Sequence, residues 1–263
     1  MTLLTLTENT SCREDILPEH GLSLYLETGS RRLLFDTGQT DLFLRNASAL
    51  GVNLRNVDAV VLSHGHYDHG GGIPAFLSVN DRAPVYLSTF AFGDFYHGPE
   101  KYIGLSPALR GNPRLLPVKT RTCLGDGLTL IPGSELPCPH PLCSYGLEVR
   151  ENGVRHPDSF CHEQYLLLEE GGKTILFSGC SHRGILNIAE YFRPDVLIGG
   201  FHFMKLDPQG EGRQTLEEAA RVLLALPTRY YTCHCTGVPQ YEFLKARMGS
   251  RLSYLSAGSS LEL

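Results

Sequence analysis

The stretch "VLSHGHYDHGGG", residues 61–72, passes straight from apolar to polar. Three histidines and an aspartate, His64, His66, Asp68 and His69, fall within six positions between a Val/Leu run and a glycine run. The apolar run 57–63 reads as a strand buried on both faces. Its end would fix the first side chains rigidly. His64 and His66 alternate, so both imidazoles can point to one side of an extended chain. Asp68 and His69 follow as the chain turns, and Gly65 and Gly70 to Gly72 let it bend. Imidazole suits zinc, iron or manganese, and a carboxylate adds negative charge. Four candidate ligands in so tight a turn exceed what one ion can take, so two divalent ions are expected, zinc first.

Short strands precede this cluster: "LLTLT" (3–7), "LSLYLE" (22–27) and "RLLFD" (32–36). In the second, Leu22, Leu24 and Leu26 would face a core, with Ser23, Tyr25 and Glu27 outward. "DTGQ" (36–39) reads as a turn and "DLFLRNASALG" (41–51) as a helix closed by a glycine. "GGIPAFLSVN" (71–80) reads as a helix with an early proline. The second half repeats the rhythm. "QYLLLEE" and "KTILFSG" form a hairpin around Gly171-Gly172, and "DVLIGGF" and "RYYTC" are strands. "ILNIAEYF", "TLEEAARVLLAL" (215–226) and "PQYEFLKARM" are helices. Two such halves predict an α/β fold, an αββα sandwich of two mixed sheets flanked by helices. A single domain over 1–263 is expected. Residues 132–160 open with four prolines in ten residues, Pro132 to Pro141, and are expected to be irregular, a lid or binding loop.

The 263 residues carry 23 basic and 28 acidic side chains, net charge −5. That balance gives no general attraction for nucleic acid or anionic membranes. The start, "MTLLTLTENTSCRED", lacks the basic region and long apolar stretch of a signal peptide, so a cytoplasmic location is expected. The eight cysteines then read as thiols or metal ligands rather than a disulfide framework. No feature declares an oligomeric state.

H-x-H-x-D-H after an apolar strand resembles the metallo-β-lactamase superfamily. The pieces "EHGLSLYLETG", "LLFDTGQ", "VLSHGHYDHGGG", "ILFSGCSHRGILNI", "IGGFH" and "CHCTG", in that order, resemble its dihydropterin-6-ylmethyl-(ribofuranosyl)aminobenzene 5′-phosphate synthase branch, a dihydropteroate-synthase-like activity. The resemblance implies that His64 and His66 hold a first metal and Asp68 and His69 a second. It implies that His234 is a last ligand and that Cys180 stands where related hydrolases carry a bridging aspartate. His182 follows two residues on as a ligand alternative or addition, and His162 in "FCHEQYLLL" is a weaker one. Cys233 and Cys235 read as packing. His20 and His202 belong to the branch's pattern and are candidates for substrate contact. Arg183 in "SHRG", and Thr236 and Gly237 in "CTGVPQ", open two helices and are candidate anion contacts. His97, His140 and His156 read as surface residues. "CPHPLC" offers three ligands for a structural zinc, an outside alternative. Phe90, Phe92, Phe95, Tyr96 and Tyr102 could stack on a flat pterin or lie in the core.

The function expected is a dinuclear metal enzyme acting on a phosphorylated or pterin-like, anionic small molecule, with Asp68 also orienting the nucleophile. The alternatives are a metal-dependent hydrolase of a lactone, thioester or phosphodiester, and a non-catalytic metal-binding sensor.

Overall fold

The computed structural model describes residues 1–263. In chain order, β1 (Thr2–Thr7), β2 (Ser23–Glu27) and β3 (Arg32–Phe35) lead into α1 (Leu42–Ala49) and β4 (Ala59–Val61). Then come α2 (Tyr67–Gly70), α3 (Ile73–Val79), β5 (Val85–Ser88), β6 (Asp94–His97), β7 (Lys101–Tyr102) and β8 (Leu115–Val118). β9 (Thr122–Gly125), β10 (Leu128–Pro132), β11 (Leu147–Glu151), β12 (Val154–Pro157), β13 (Gln164–Glu170) and β14 (Lys173–Phe177) follow. The chain ends with α4 (Ile185–Phe192), β15 (Val196–Ile198), α5 (Arg213–Ala225), β16 (Arg229–Thr232), α6 (Val238–Met248), β17 (Leu252–Tyr254) and β18 (Ser260–Glu262).

Two seven-stranded mixed sheets result, β18-β1-β2-β3-β4-β5-β8 and β17-β16-β15-β14-β13-β10-β9. Leu3, Leu24, Leu26, Phe35 and Val61 of the first pack on Leu128, Leu166, Leu168, Phe177 and Ile198 of the second. The first sheet's outer face is covered by Phe43 and Ala47 of α1 and Ile73 and Phe76 of α3. The second's is covered by Ile188 of α4, Leu216, Ala219, Ala220 and Leu223 of α5, and Leu244 of α6. This is the αββα sandwich. Tyr25, expected to face outward, is buried in the helix-covered layer, because an outward position on an inner strand still lies under helices.

The expectation of an irregular 132–160 is corrected. β11 and β12 form an antiparallel hairpin there, and β6 and β7 extend it to a four-stranded sheet, β12-β11-β6-β7. The proline-dense run ends at Pro141, leaving only Pro157 at the end of β12, and Asn152 (φ 51) and Gly153 (φ 81) make the paired left-handed turn that closes a tight hairpin.

Parallel pairing sets the site. β3, β4, β5 and β8 run parallel, as do β14, β15, β16 and β17. Their carboxyl ends therefore open on one edge of the sandwich, the place where open α/β sheets bind ligands. Asp36, Ser63 to His69, Cys180, His182, His202 and His234 all leave strands there.

Candidate metal centre

The sharp exit from β4 needs Gly65: a Cβ there would collide with the Ala91 carbonyl. The matching exit from β14 needs Gly179 at φ +60, where a Cβ would collide with the Ser63 side chain. These close approaches press the two strand ends together. His64, His66, His69, Cys180, His182 and His234 are all buried in consequence.

The histidines form two groups. His64, His66 and His182 bring ligand atoms within 4.8 Å of one another, and so do His20, Asp68 and His234. His69 and Cys180 join His64 in a third set that spans the two. His64 Nε2 lies 3.2 Å from His182 Nε2. His69 Nε2 lies 3.2 Å from His234 Nε2 and 3.1 Å from Cys180 Sγ. Asp68 Oδ2 lies 3.3 Å from His234 Nε2, 3.2 Å from His20 Nε2 and 4.0 Å from His69 Nε2.

Outward hydrogen bonds fix these rings. His69 Nδ1–H donates to Asp36 Oδ2 at 2.6 Å, and His234 Nδ1–H donates to Asn9 Oδ1 at 2.7 Å. Ser63 Oγ donates to Asp36 Oδ2 at 2.7 Å and so accepts from His64 Nδ1 at 2.8 Å. The protons thus face outward and the Nε2 lone pairs face one another. His66 Nε2 is buried with no partner. Ring nitrogens that face one another at 3.2 Å, with a further ring nitrogen left without a partner, make a donor set that could hold a cation.

The titration preferences of His64, His66, His182 and His234 favour neutral rings, and that of His69 runs the other way. Burial holds His64 and His182 well below the usual imidazole range, and holds His66 down to about 3. Burial also lowers His234, though Asp68 opposes it. For His69 burial works against the charged form, but Asp36 and Asp68 outweigh it and the value is raised. Burial and the neighbouring Cys235 push the Cys180 thiol well up, so a thiolate there needs a bound cation.

His162 forms a further group with His66 and Asp158, ligand atoms within 4.8 Å of one another, but its nitrogens have protein partners. Its Nδ1 accepts from Gly65 N at 2.9 Å and its Nε2–H donates to Asp158 at 3.0 Å, so both nitrogens are occupied. It holds the Gly65 turn instead. Arg183 is also corrected. Its guanidinium donates to the carbonyls of Ser159 (3.0 Å) and Leu136 (2.9 Å), behind the site rather than into it. Thr236 Oγ1 accepts from Phe201 N at 2.8 Å and pairs with Thr232, and neither it nor Gly237 lines the cavity. Cys138 sits beside Arg183 and His140 faces Glu190, so "CPHPLC" does not converge as a metal site. Phe95 is buried edge-on against His66, and none of the five central aromatics lines the cavity.

Several positioning residues escaped the sequence reading. Glu8 Oε1 accepts from His234 N at 2.6 Å, and Glu163 Oε1 and Oε2 accept from the amides of His182 (3.0 Å) and Arg183 (2.8 Å). Asp36, read as part of a turn, holds Ser63 N at 2.6 Å as well as His69. Only "LLFDTGQ", placed at a strand end, carried any signal for it.

A cavity of about 280 Å³ opens over the two groups. His20 and His202 line it as expected, and so does His97, which had read as surface. Two cations, Lys101 and Lys205, stand on its walls, Lys101 donating to the Tyr67 hydroxyl at 3.1 Å. No helix in the chain is long and apolar enough to cross a membrane.

A sandwich that gathers histidines at the parallel strand ends defines a class, and comparison with known proteins agrees. Residues 16–229 match the family model described as the metallo-beta-lactamase superfamily, and the chain belongs to that family. The chain is 30% identical over 209 residues to the uncharacterized protein MJ0448 of Methanocaldococcus jannaschii, covering 76% of this chain and 78% of the relative. It is 27% identical to the 7,8-dihydropterin-6-methyl-4-(beta-D-ribofuranosyl)-aminobenzene-5′-phosphate synthase of the same organism, covering 93% and 90%. The crystal structure of Tm1679, described as a metal-dependent hydrolase of the beta-lactamase superfamily, superposes with a TM-score of 0.84 at 30% identity, covering 100% of this chain and 99% of that one.

Proposed function

We propose that this protein is an enzyme that uses two divalent ions, zinc first among zinc, iron and manganese, to act on a small anionic molecule. His64, His66 and His182 hold one ion. Asp68, His69 and His234 hold the other, and Cys180 stands between them. Bound ions supply Lewis-acid polarisation of a phosphate or carbonyl oxygen and lower the pKa of water. The observation that carries the anionic substrate is the pair Lys101 and Lys205 on the walls of the same cavity. His20 and His202 contact the substrate near its reacting atoms.

The reaction we favour is a condensation. An aryl amine nitrogen bonds to a pterin-like methylene carbon as the C–O bond to pyrophosphate breaks. Pyrophosphate leaves toward the lysines, and the proton shed by the amine passes to solvent past His20, which is half exposed at the mouth. The likeness to the pterin-related synthase, which spans 93% of the chain, supports this choice. The second reading is hydrolysis of a lactone, thioester or phosphodiester, favoured by the likeness to Tm1679.

Metal-loaded protein should release pyrophosphate from 7,8-dihydropterin-6-methyl pyrophosphate only when the ribofuranosyl aminobenzene phosphate acceptor is present. Turnover confined to lactone or phosphodiester panels would replace the first reading by the second. A protein that binds no transition metal and gains no melting temperature from one would refute both.

A further inference from the structure

Beyond the metal cavity lies a second chamber of about 440 Å³, within the size range of small-molecule sites. Tyr145, His182 and His202 line both spaces, so the two are neighbours across these side chains. His202 forms the partition. Its backbone takes φ +55, uncommon for a non-glycine residue, its Nδ1 lies 3.3 Å from His182 Nδ1, and its ring meets Tyr145 edge-on at 5.2 Å. The proline-stiffened segment bearing His140, Pro141 and Cys143 walls the outer chamber.

The two spaces differ in charge. Lys101 and Lys205 line the metal cavity. The outer chamber is lined by no lysine or arginine and carries Glu211 just before α5 and Gln214, Thr215 and Glu218 on it. Glu218 is paired with Arg221, which leaves Glu211 as an open carboxylate acceptor. Phe201, Phe203 and Tyr145 supply aromatic walls. Such walls favour a flat ring, and the acceptors above them favour ring amino groups. An anionic group would be repelled there.

We propose that this outer chamber binds the uncharged, amino-bearing flat heteroaromatic part of a two-part substrate whose anionic end lies over the metal residues. The proposal rests on the reading that the metal cavity processes an anionic small molecule. It assigns substrate choice to α5 and the 140–145 segment rather than to the metal ligands.

The test is equilibrium binding of 6-hydroxymethylpterin, which has the ring and no anionic group, to the metal-loaded full chain, read by anisotropy of the pterin emission. Saturating inorganic pyrophosphate should leave this affinity unchanged. Thr215→Trp, a bulky side chain at an exposed position on the chamber wall, should weaken it about tenfold or more, equivalent to about 1.4 kcal/mol. Leu186→Gln, where α4 lines the chamber, should also weaken it and serves as the second probe if Thr215→Trp lowers the melting temperature. Absence of pterin binding, displacement by pyrophosphate, or unchanged affinity in both variants would overturn the proposal. Metal-dependent turnover of an anionic substrate without pterin binding would overturn it alone, and pterin binding without turnover would overturn the proposed reaction alone.

Discussion

His69 and Asp36 share a hydrogen bond of 2.6 Å, Nδ1 to Oδ2, with both side chains fully buried. The same carboxylate takes the amide and the hydroxyl of Ser63. One acidic group at the end of β3 therefore orients two candidate ligands, His69 directly and His64 through Ser63. Asp36→Asn removes the charge and one acceptor while keeping the shape. Its expected effect is a loss of metal affinity of about 10–100-fold, as for other groups that orient metal-bound histidines. Chelator competition measures it, and an unchanged affinity would remove Asp36 from the site.

The ligand set can be counted. His182→Ala should lower bound metal by about one ion per chain, because it leaves the His64–His66 group with two donors. His162→Gln should keep the metal content and lower the melting temperature, since glutamine can still accept from Gly65 N but loses the bond to Asp158. Elemental analysis of both variants decides. The reverse pattern would restore His162 as the ligand.

How far this centre was legible follows from what is local. His64, His66, Asp68 and His69 lie within one turn, so their spacing announced a metal site and the strand that carries it. Their partners Glu8, Asn9, Asp36 and Glu163 come from distant strand ends, and no short pattern links them. Arg183 was misread because a cation at a helix start suggests an anion site. Only the fold shows that the loop carbonyls of Leu136 and Ser159 already occupy it. The hairpin at 147–157 was hidden by its neighbours: the prolines up to Pro141 masked the alternation and the Asn-Gly turn after them. Lys101 and Lys205 have no local signature at all, since their place on the cavity depends on how the small sheet and the segment after β15 meet.

Acid should loosen the metal-free fold. His66 is held down to about 3 and His202 to about 4, in both cases first by burial, against an ordinary value of 6.5. The unfolded chain therefore binds more protons than the folded one between these limits. Stability present above about pH 6.5 is then lost as pH falls toward the folded values. The melting temperature of EDTA-treated protein should drop between pH 7.5 and pH 5.5. A flat profile would show that these rings are not buried as neutral groups.

Lys101→Ala and Lys205→Ala should each weaken pyrophosphate binding by about three- to tenfold, an effect that salt reduces because both ammonium groups are exposed. Calorimetric titration at low and high ionic strength measures it. The metal content should stay the same, since neither lysine belongs to the donor groups. Unchanged pyrophosphate affinity in both variants would remove the argument for an anionic substrate.

Glu8 joins the amino-terminal strand to the last ligand. It is fully buried. Oε1 accepts from His234 N at 2.6 Å and from the Tyr254 hydroxyl at 2.7 Å, while Oε2 accepts from the amide and hydroxyl of Thr10. His234 itself sits at φ +49, so its turn depends on that amide being held. Glu8→Gln replaces one acceptor oxygen by an NH2 group, which must then face two donors whichever way the amide turns. The cost is about 1–3 kcal/mol for buried donors left without an acceptor. Tyr254→Phe removes a single donor and should cost less, about 1 kcal/mol. Denaturant unfolding of the metal-free variants separates the two. If Glu8 positions His234, Glu8→Gln also weakens metal binding, whereas Tyr254→Phe leaves the His234 amide bond intact and the affinity close to wild type. Equal metal affinities in the two variants would reduce Glu8 to a support of the strand alone.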